Sequence, residues 1–224
     1  ADDYQIEKSV RLNRDDEAYF SRTPVTKGNQ RTWTWSGWVK LFTSGISGAS
    51  GQHFVWSSIP DLNPYFQAYF SDDNLLVYVG GDGLTTSRLF RDHSAWMHIT
   101  IACDTTQSIH EEKLKLYING NLETDFGNDY SIAGVAQHEE TNINSTEIHT
   151  IGSQQTYSSV TCNMSVSDVH FIDGLQLSPA AFGSFDSTGN WNPKAFALPA
   201  PNANTTWSSS VSGTQHASSA ATNL

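Results

Sequence analysis

The sequence predicts an all-β chain, an antiparallel two-sheet β-sandwich with jelly-roll connections, and three observations carry that expectation. Arg31 to Leu41 reads Arg-Thr-Trp-Thr-Trp-Ser-Gly-Trp-Val-Lys-Leu, a run of period two rich in aromatic and β-branched residues. Short runs of the same kind recur along the chain, parted by Gly, Pro, Asn and Asp turn signals. No stretch sustains helical periodicity, which leaves a sandwich or jelly roll as the architecture.

The elements follow in order. Tyr4 to Leu12 alternates as an opening strand, and Ala18 to Arg22 as a second. Thr23-Pro24 and Lys27-Gly28-Asn29 punctuate the loop before the tryptophan strand. In that strand Trp33, Trp35, Gly37, Val39 and Leu41 share one face, which predicts a core-facing side. Thr34, Ser36, Trp38 and Lys40 share the other. The competing use of the indoles is as a stacking platform for a sugar, and Trp38, on the face away from Trp33 and Trp35, is better placed for it. Phe42 to Gln52 reads as a Gly/Ser-rich surface loop. Phe54 to Ile59, Tyr65 to Phe70 and Leu75 to Val79 are strands, and Gly80 to Gly83 is a tight turn before a strand over Leu84 to Arg91. Trp96 to Asp104 follows, then Lys113 to Leu122, where Asn119-Gly120 signals a hairpin with a type I′ turn. Ile148 to Gly152 and Met164 to Asp173 complete the strands. Ser178 to Gly183 reads as one helical turn, with Ser178 as N-cap and Pro179 as first helical residue.

Composition excludes several functions. Hydrophobic residues make up 38% and aromatics 12%, enough for a core, yet no apolar run approaches the roughly 20 residues needed to span a bilayer. The net charge of −11 argues against nucleic acid, whose phosphates call for clustered Lys and Arg. Cys103 and Cys162 both fall in strand-like stretches and are expected to be buried, reduced thiols, the alternative being a disulfide between them if those strands are neighbours. Residues 198–224 are dominated by Pro, Ala, Asn, Ser and Thr, too polar to offset their own ordering entropy. The expected division is a sandwich over 1–197 and a polar tail, or the opening of a following module, over 198–224. A neighbouring subunit is the expected anchor for such a tail.

Several signposts resemble a known family. They are Trp38-Val39-Lys40, Trp96 with His98 and Asp104, Lys115 to Gly120, Ile151-Gly152, Asp168 to Gly174, and Leu177 to Pro179. In order and spacing they are similar to the laminin-G-like group of the concanavalin A-like lectin and glucanase superfamily. Ala18 to Pro24, Thr32 to Lys40 and Val169 to Phe185 are similar to modules in large virion proteins of marine bacteriophages. The resemblance covers about residues 4 to 196. It implies two packed antiparallel sheets, and it leaves function open, because the superfamily hosts lectins, hydrolases and structural modules.

The enzymes of that superfamily carry paired carboxylates on one strand, spaced to face the same way. Glu111-Glu112, Glu123 with Asp125, and Glu139-Glu140 do not reproduce that spacing and read as solvated acids. The histidines, His98 and His170 among them, lack metal-ligand spacing and read as structural. Calcium is the one cofactor the pattern suggests, with Asp72, Asp73, Asn74 and Asp82 converging from adjacent turns. For a ligand, His53 to Tyr69 offers Trp56 and Tyr65 for stacking, and Asp61 and Asn63 for hydrogen bonds.

The expected function is therefore a non-enzymatic virion module, from a tail fibre, spike or capsid fibre, that recognises carbohydrate on the host cell surface. The expected location is the virion, outside the cell, with neither nucleic acid nor membrane insertion. Self-association or contact with other virion subunits would run through residues 198–224. The alternative is a purely structural or decoration protein, and glycoside hydrolysis trails both.

Overall fold

A computed structural model describes residues 4–42, 52–59, 65–127, 134–154, 160–197 and 221–223. The first sheet is built from β1 (Val10–Leu12), β3 (Thr32–Leu41), β8 (Met97–Asp104), β9 (Leu114–Ile118), β10 (Asn121–Leu122) and β14 (Met164–Asp173). Their order across the sheet is β1-β14-β3-β8-β9-β10, all antiparallel. The second holds β2 (Phe20–Arg22), β4 (His53–Ser58), β5 (Phe66–Ser71), β6 (Asn74–Val79), β7 (Asp82–Thr85) and β11 (His149–Ile151). Its order is β2-β11-β4-β5-β6-β7. Two small hairpins are added, β12 (Ser153–Gln154) with β13 (Val160–Thr161), and β15 (Gly183–Phe185) with β16 (Trp191–Pro193). A short helix, α1 (His110–Lys113), precedes β9, and β17 (Ala221–Asn223) pairs with β14.

The predicted all-β sandwich is thus the observed architecture, and its core lies where alternation places it. Trp33, Trp35, Val39 and Leu41 of β3 are at most 1% exposed. Across from them the second sheet presents Trp56, whose ring meets Trp33 edge-on at 5.4 Å and Phe66 at 5.2 Å. Offset and edge-to-face pairs of this kind add to the area that each ring buries. Trp33 donates its indole N–H to Thr141 Oγ1 at 3.0 Å, which ties the loop after residue 134 to the core.

Three of the predicted turns have the backbone that their residues favour. Ile118 pairs with Asn121, so Asn119 (φ 48°) and Gly120 (φ 78°) form the two-residue loop with both angles positive, as a type I′ turn requires. Asp72 (φ 49°) and Asp73 (φ 69°) do the same between β5 and β6. Gly80-Gly81 reverses the chain between β6 and β7. β14 carries a bulge between Ser167 and His170, opposite Gly37. Its inward residues run Met164, Val166, then Val169, Phe171, and the step of three marks the extra residue, Asp168, at φ 48°.

Some expectations are corrected. The opening strand is short, because Tyr4 to Ser9 leaves the ladder and lies as a strap across the outside of β14. Ser167 Oγ donates to Lys8 C=O there, and Tyr4 donates its hydroxyl to Asp168 at 3.1 Å. The strand predicted over Leu84 to Arg91 ends at Thr85, since the buried Thr86 hydroxyl instead serves Leu75 N–H and Arg88 C=O. Pro179–Ala181 forms a 3-10 turn with Pro at its start, and Ser178 makes no side-chain cap bond to it. Cys103 and Cys162 are free and buried, as expected. Of the proposed tail, residues 198–220 lie outside the described residues.

Candidate functional site: a groove on the outer face of the first sheet

The outer face of β3 is closed as tightly as the inner one, by a different device. Thr34 and Ser36 are fully buried and Trp38 is 8% exposed. Residues 175–196 cover them. Thr34 Oγ1 donates to Leu175 C=O at 2.7 Å and accepts from Leu177 N–H at 2.8 Å. Ser36 Oγ lies 2.8 Å from His98 Nε2, and Trp191 donates its indole N–H to His98 Nδ1 at 3.1 Å. An indole nitrogen can only donate, so Nδ1 carries no proton and Nε2–H donates to Ser36. Burial pushes His98 down to about 3, so this imidazole is neutral over the physiological range.

Trp191 is seated by two glycines. A Cβ on Gly120 would come within 2.3 Å of its ring, and one on Gly183 within 2.5 Å. Its other side meets Phe185 edge-on at 4.9 Å. The β15–β16 hairpin is thereby fixed as a wall standing on the sheet. Its loop is organised by Asp186, whose Oδ1 accepts from Thr188 N–H (2.8 Å) and Asn190 N–H (2.9 Å), and whose Oδ2 accepts from Asn192 Nδ2 (3.0 Å).

Between this wall and the Tyr4–Ser9 strap lies a groove of about 750 Å³. Trp38 and Trp96 line it, with Phe185, Asp186 and Asn192 from the hairpin and Ser167 from β14. Trp96 is half-buried and Phe185 49% exposed, so aromatic surface is open to a ligand. Trp38 Nε1 is buried with no hydrogen-bond partner among the described residues. The strap is held by Asp168, which receives Tyr4 O–H and lies 3.0 Å from His170 Nε2. Burial alone would raise the Asp168 carboxyl, but these donors and the imidazole charge outweigh it and hold the group below its usual value. The bulge is what turns Asp168 outward to make these contacts.

The chemistry suits binding. Glu7 and Asp186 are the acids lining the groove. Hydrogen bonds from Thr188, Asn190 and Asn192 keep the Asp186 carboxyl well below the usual range, the opposite of what a general acid in glycoside hydrolysis needs. Indole and phenyl faces beside amide, hydroxyl and carboxylate groups are what a pyranose offers partners for: apolar C–H faces flanked by hydroxyls.

A second, smaller cavity of about 140 Å³ opens between the sheets, with Trp56, Ile151 and Phe171 in its walls beside Phe20, Arg22 and Asn144. His149 also lines it, with Nδ1–H donating to Glu147 C=O (2.8 Å) and Nε2 accepting from Asn144 N–H (2.9 Å). Burial lowers His149 to about 4, so it too is neutral. Burial pushes the Asp173 carboxyl up, opposed by donation from Asn29 N–H.

The residues singled out from sequence are distributed differently. Trp56 is 2% exposed and central to the aromatic core, because it lies on the inner face of a middle strand. Tyr65 is on the opposite face of the second sheet, with Tyr69 and Tyr78, so it does not join Trp56. Asp61 and Asn63 lie outside the described residues. Asp72, Asp73 and Asn74 sit at one end of β6 and Asp82 at the other, about 16 Å apart at the rise of a strand, so they do not converge on one ion. Asp73 is bound to Arg91 at 2.9 Å and Asn74 to Thr86 C=O at 2.6 Å. Among the described residues, no three His, Cys, Asp or Glu side chains are grouped as metal ligands. Trp38 is the early suggestion that does line the groove. The hairpin over 183–193 went unread, although Asp186, Thr188, Gly189 and Asn190 together are a turn signal.

No protein-family model matches the sequence, and no curated protein does. Solved structures match in fold. A heptameric SAP-like pentraxin from Limulus polyphemus superposes with a TM-score of 0.51 at 13% identity, over 76% of this chain and 77% of that one. The binding domain of botulinum neurotoxin DC, solved in complex with rat synaptotagmin II, gives 0.52 at 14% identity over 85% and 48%. The binding domain of Paraclostridial Mosquitocidal Protein 1 gives 0.51 at 14% over 76% and 40%. The chain spans less than half the length of each toxin domain. Shared layers and connections at such low identity show one thing, that this chain has the concanavalin A-like jelly-roll fold.

Proposed function

We propose that the chain is a non-enzymatic binding module of a bacteriophage particle, borne on a tail fibre, spike or capsid fibre outside the cell, that recognises carbohydrate on the host surface. The observation that carries the reading is the groove of about 750 Å³ lined by Trp38 and Trp96, with Phe185, Asp186 and Asn192 standing over it. The particle rests on the sequence resemblance over residues 18–24, 32–40 and 169–185. The test is a glycan array with and without calcium, comparing the native chain with Trp96→Ala. Binding that the substitution abolishes supports the reading. A blank array, or binding indifferent to Trp96, overturns it at this groove, and release of reducing ends would revive hydrolysis.

One observation favours assembly as a second reading. β17 reaches back to pair with the edge of β14, Asn223 opposite His170 and Ala221 opposite Ile172. An edge that accepts a strand can accept one from another subunit. A stable oligomer that dissociates when residues 198–224 are removed would support the decoration alternative.

A further inference from the structure

β2 is the last strand of the second sheet and has no strand on its outer side among the described residues. Its residues Phe20–Arg22 are exposed, exposed and half-buried in turn, so this edge of the sheet is open. An open edge is a template for a further strand. The side chain at the front of it is Phe20, 45% exposed. Val10, 47% exposed, joins Phe20 in lining a hollow of about 150 Å³ at the open side of the sandwich. Two apolar side chains left in water around one hollow mark a contact surface.

The same strand borders a receptor for such a ring. The pocket between the sheets, of about 140 Å³, has Phe20, Ser21 and Arg22 along one side. Trp56, Ile151 and Phe171, each at most 8% exposed, form its apolar walls. An apolar cavity of about 150 Å³ holds one benzene molecule, so this pocket has room for a single phenyl group. Arg22 is placed to lie over a ring seated there, and the neutral His149 adds no competing charge.

Ring and receptor are two positions apart on one strand, which makes the strand complementary to itself. Laid antiparallel against β2 of a second copy and centred on Ser21, it sets Phe20 of each copy opposite Arg22 of the other. Directly opposed residues project to the same face, and Phe20 and Arg22 both line the pocket. Each ring therefore arrives at the other copy's pocket, and a two-fold axis at Ser21 makes the two halves identical, as an isologous contact requires. Any other partner would have to bring an unpaired strand and a phenyl group at this spacing, and a second copy brings both. Lys8, Arg22 and Asp168 are the charged residues lining the two hollows, so the contact itself is not acidic, although each copy carries a net charge of −11.

We propose that this edge is a two-fold self-association surface, in which the β2 strands of two copies lie antiparallel about Ser21 and Phe20 of each copy seats in the inter-sheet pocket of the other. The surface is separate from the Trp38 groove and from the pairing of β17 with β14.

Sedimentation velocity of the whole chain is the first test. It should show monomer at about 1 µM and mostly dimer at about 1 mM, the range that a small contact gives, with more dimer as salt screens the net charge. Phe20→Ser should weaken the dimer at least tenfold, with an unfolding curve that superimposes on the native one. Trp96→Ala should leave the dimer unchanged. The register has its own test, which holds even if Phe20→Ser does not fold. Opposed antiparallel residues lie roughly 4.5–5.5 Å apart at Cα, within the roughly 4.4–6.8 Å that a disulfide spans. Ser21→Cys should therefore give a crosslinked dimer under mild oxidation, since Cys103 and Cys162 are buried. Tyr19→Cys should not, because its two copies would stand four residues, roughly 13 Å, apart along the strands. A monomer at every concentration overturns the inference and leaves the groove reading untouched. So does a dimer indifferent to Phe20, or one crosslinked at Tyr19→Cys and not at Ser21→Cys. A native chain that stays monomeric and loses glycan binding on Phe20→Ser would assign the pocket to a ligand and overturn the inference as well.

Discussion

The two faces of β3 are equally dry and differently made. Inward, Trp33 and Trp35 are closed by other aromatic rings, a non-directional contact in which burial itself is the driving force. Outward, Thr34 is closed by directional hydrogen bonds to Leu175 and Leu177, and Ser36 by His98, which in turn accepts from Trp191, so the covering segment must sit in one place. The inner face therefore supplies stability, and the outer one supplies position. Where the outer inlay ends, at Trp38, the indole N–H beside the groove has no partner among the described residues. The groove there has walls that the fold has already immobilised.

Removing an inner ring should have the largest effect. Trp33→Ala should destabilise by roughly 3–5 kcal/mol, read as a lower urea midpoint at unchanged slope, since a large cavity opens at a site with no room to collapse. Comparable losses from Thr34→Val would show that the outer inlay carries as much energy as the core and would break the contrast.

Gly120→Ala comes next. It forces a side chain at φ 78° and drives a Cβ toward the Trp191 ring at 2.3 Å, so a loss of roughly 1–3 kcal/mol is expected. Glycan affinity should fall with it, because Trp191 anchors the hairpin wall.

The inlay also sets an acid limit. Folded, His98 and His149 take up protons only near about 3 and about 4, whereas unfolded they do so near 6.5. The unfolded chain thus binds more protons between these values, and the contribution of the two imidazoles to stability, constant above pH 7, declines as pH falls from about 6.5 towards 3–4. His98→Gln should reduce the slope of that decline. An unchanged slope would mean that His98 is not buried neutral.

The smallest stability effect belongs to the groove. Trp96→Ala should shift the midpoint by under about 1 kcal/mol yet weaken glycan binding tenfold or more. A variant that lost both together would place Trp96 in the scaffold.

The inner face was legible in the sequence and the outer face was not, for a physical reason. Alternation in β3 and in Met164 to Asp173 names the strands and their inward residues directly, and Asn119-Gly120 names its own turn. The covering segment has no period to read. Residues 175–196 close the outer face through single hydrogen bonds at irregular spacing, so Thr34 and Ser36 look like solvent-facing residues in a linear reading. Trp56 misled because an aromatic beside a Pro/Asn loop looks like a rim residue, while in space it lies on a middle strand facing Trp33. Asp82 misled because neighbouring turns in sequence sit at opposite ends of the same strand.

The two cysteines lead to a practical end. Cys103 and Cys162 are unbonded and at most 1% exposed, and burial pushes both thiols up, Cys162 to about 12. A thiolate is the reactive form, so alkylating reagents meet nothing in the folded chain. Labelling is gated by opening of the structure around them, in β8 opposite Trp33 for Cys103 and just before β14 for Cys162. Each sulfur is a native stopwatch for its own neighbourhood, and unequal labelling rates would reveal whether the molecule comes apart at once or in stages.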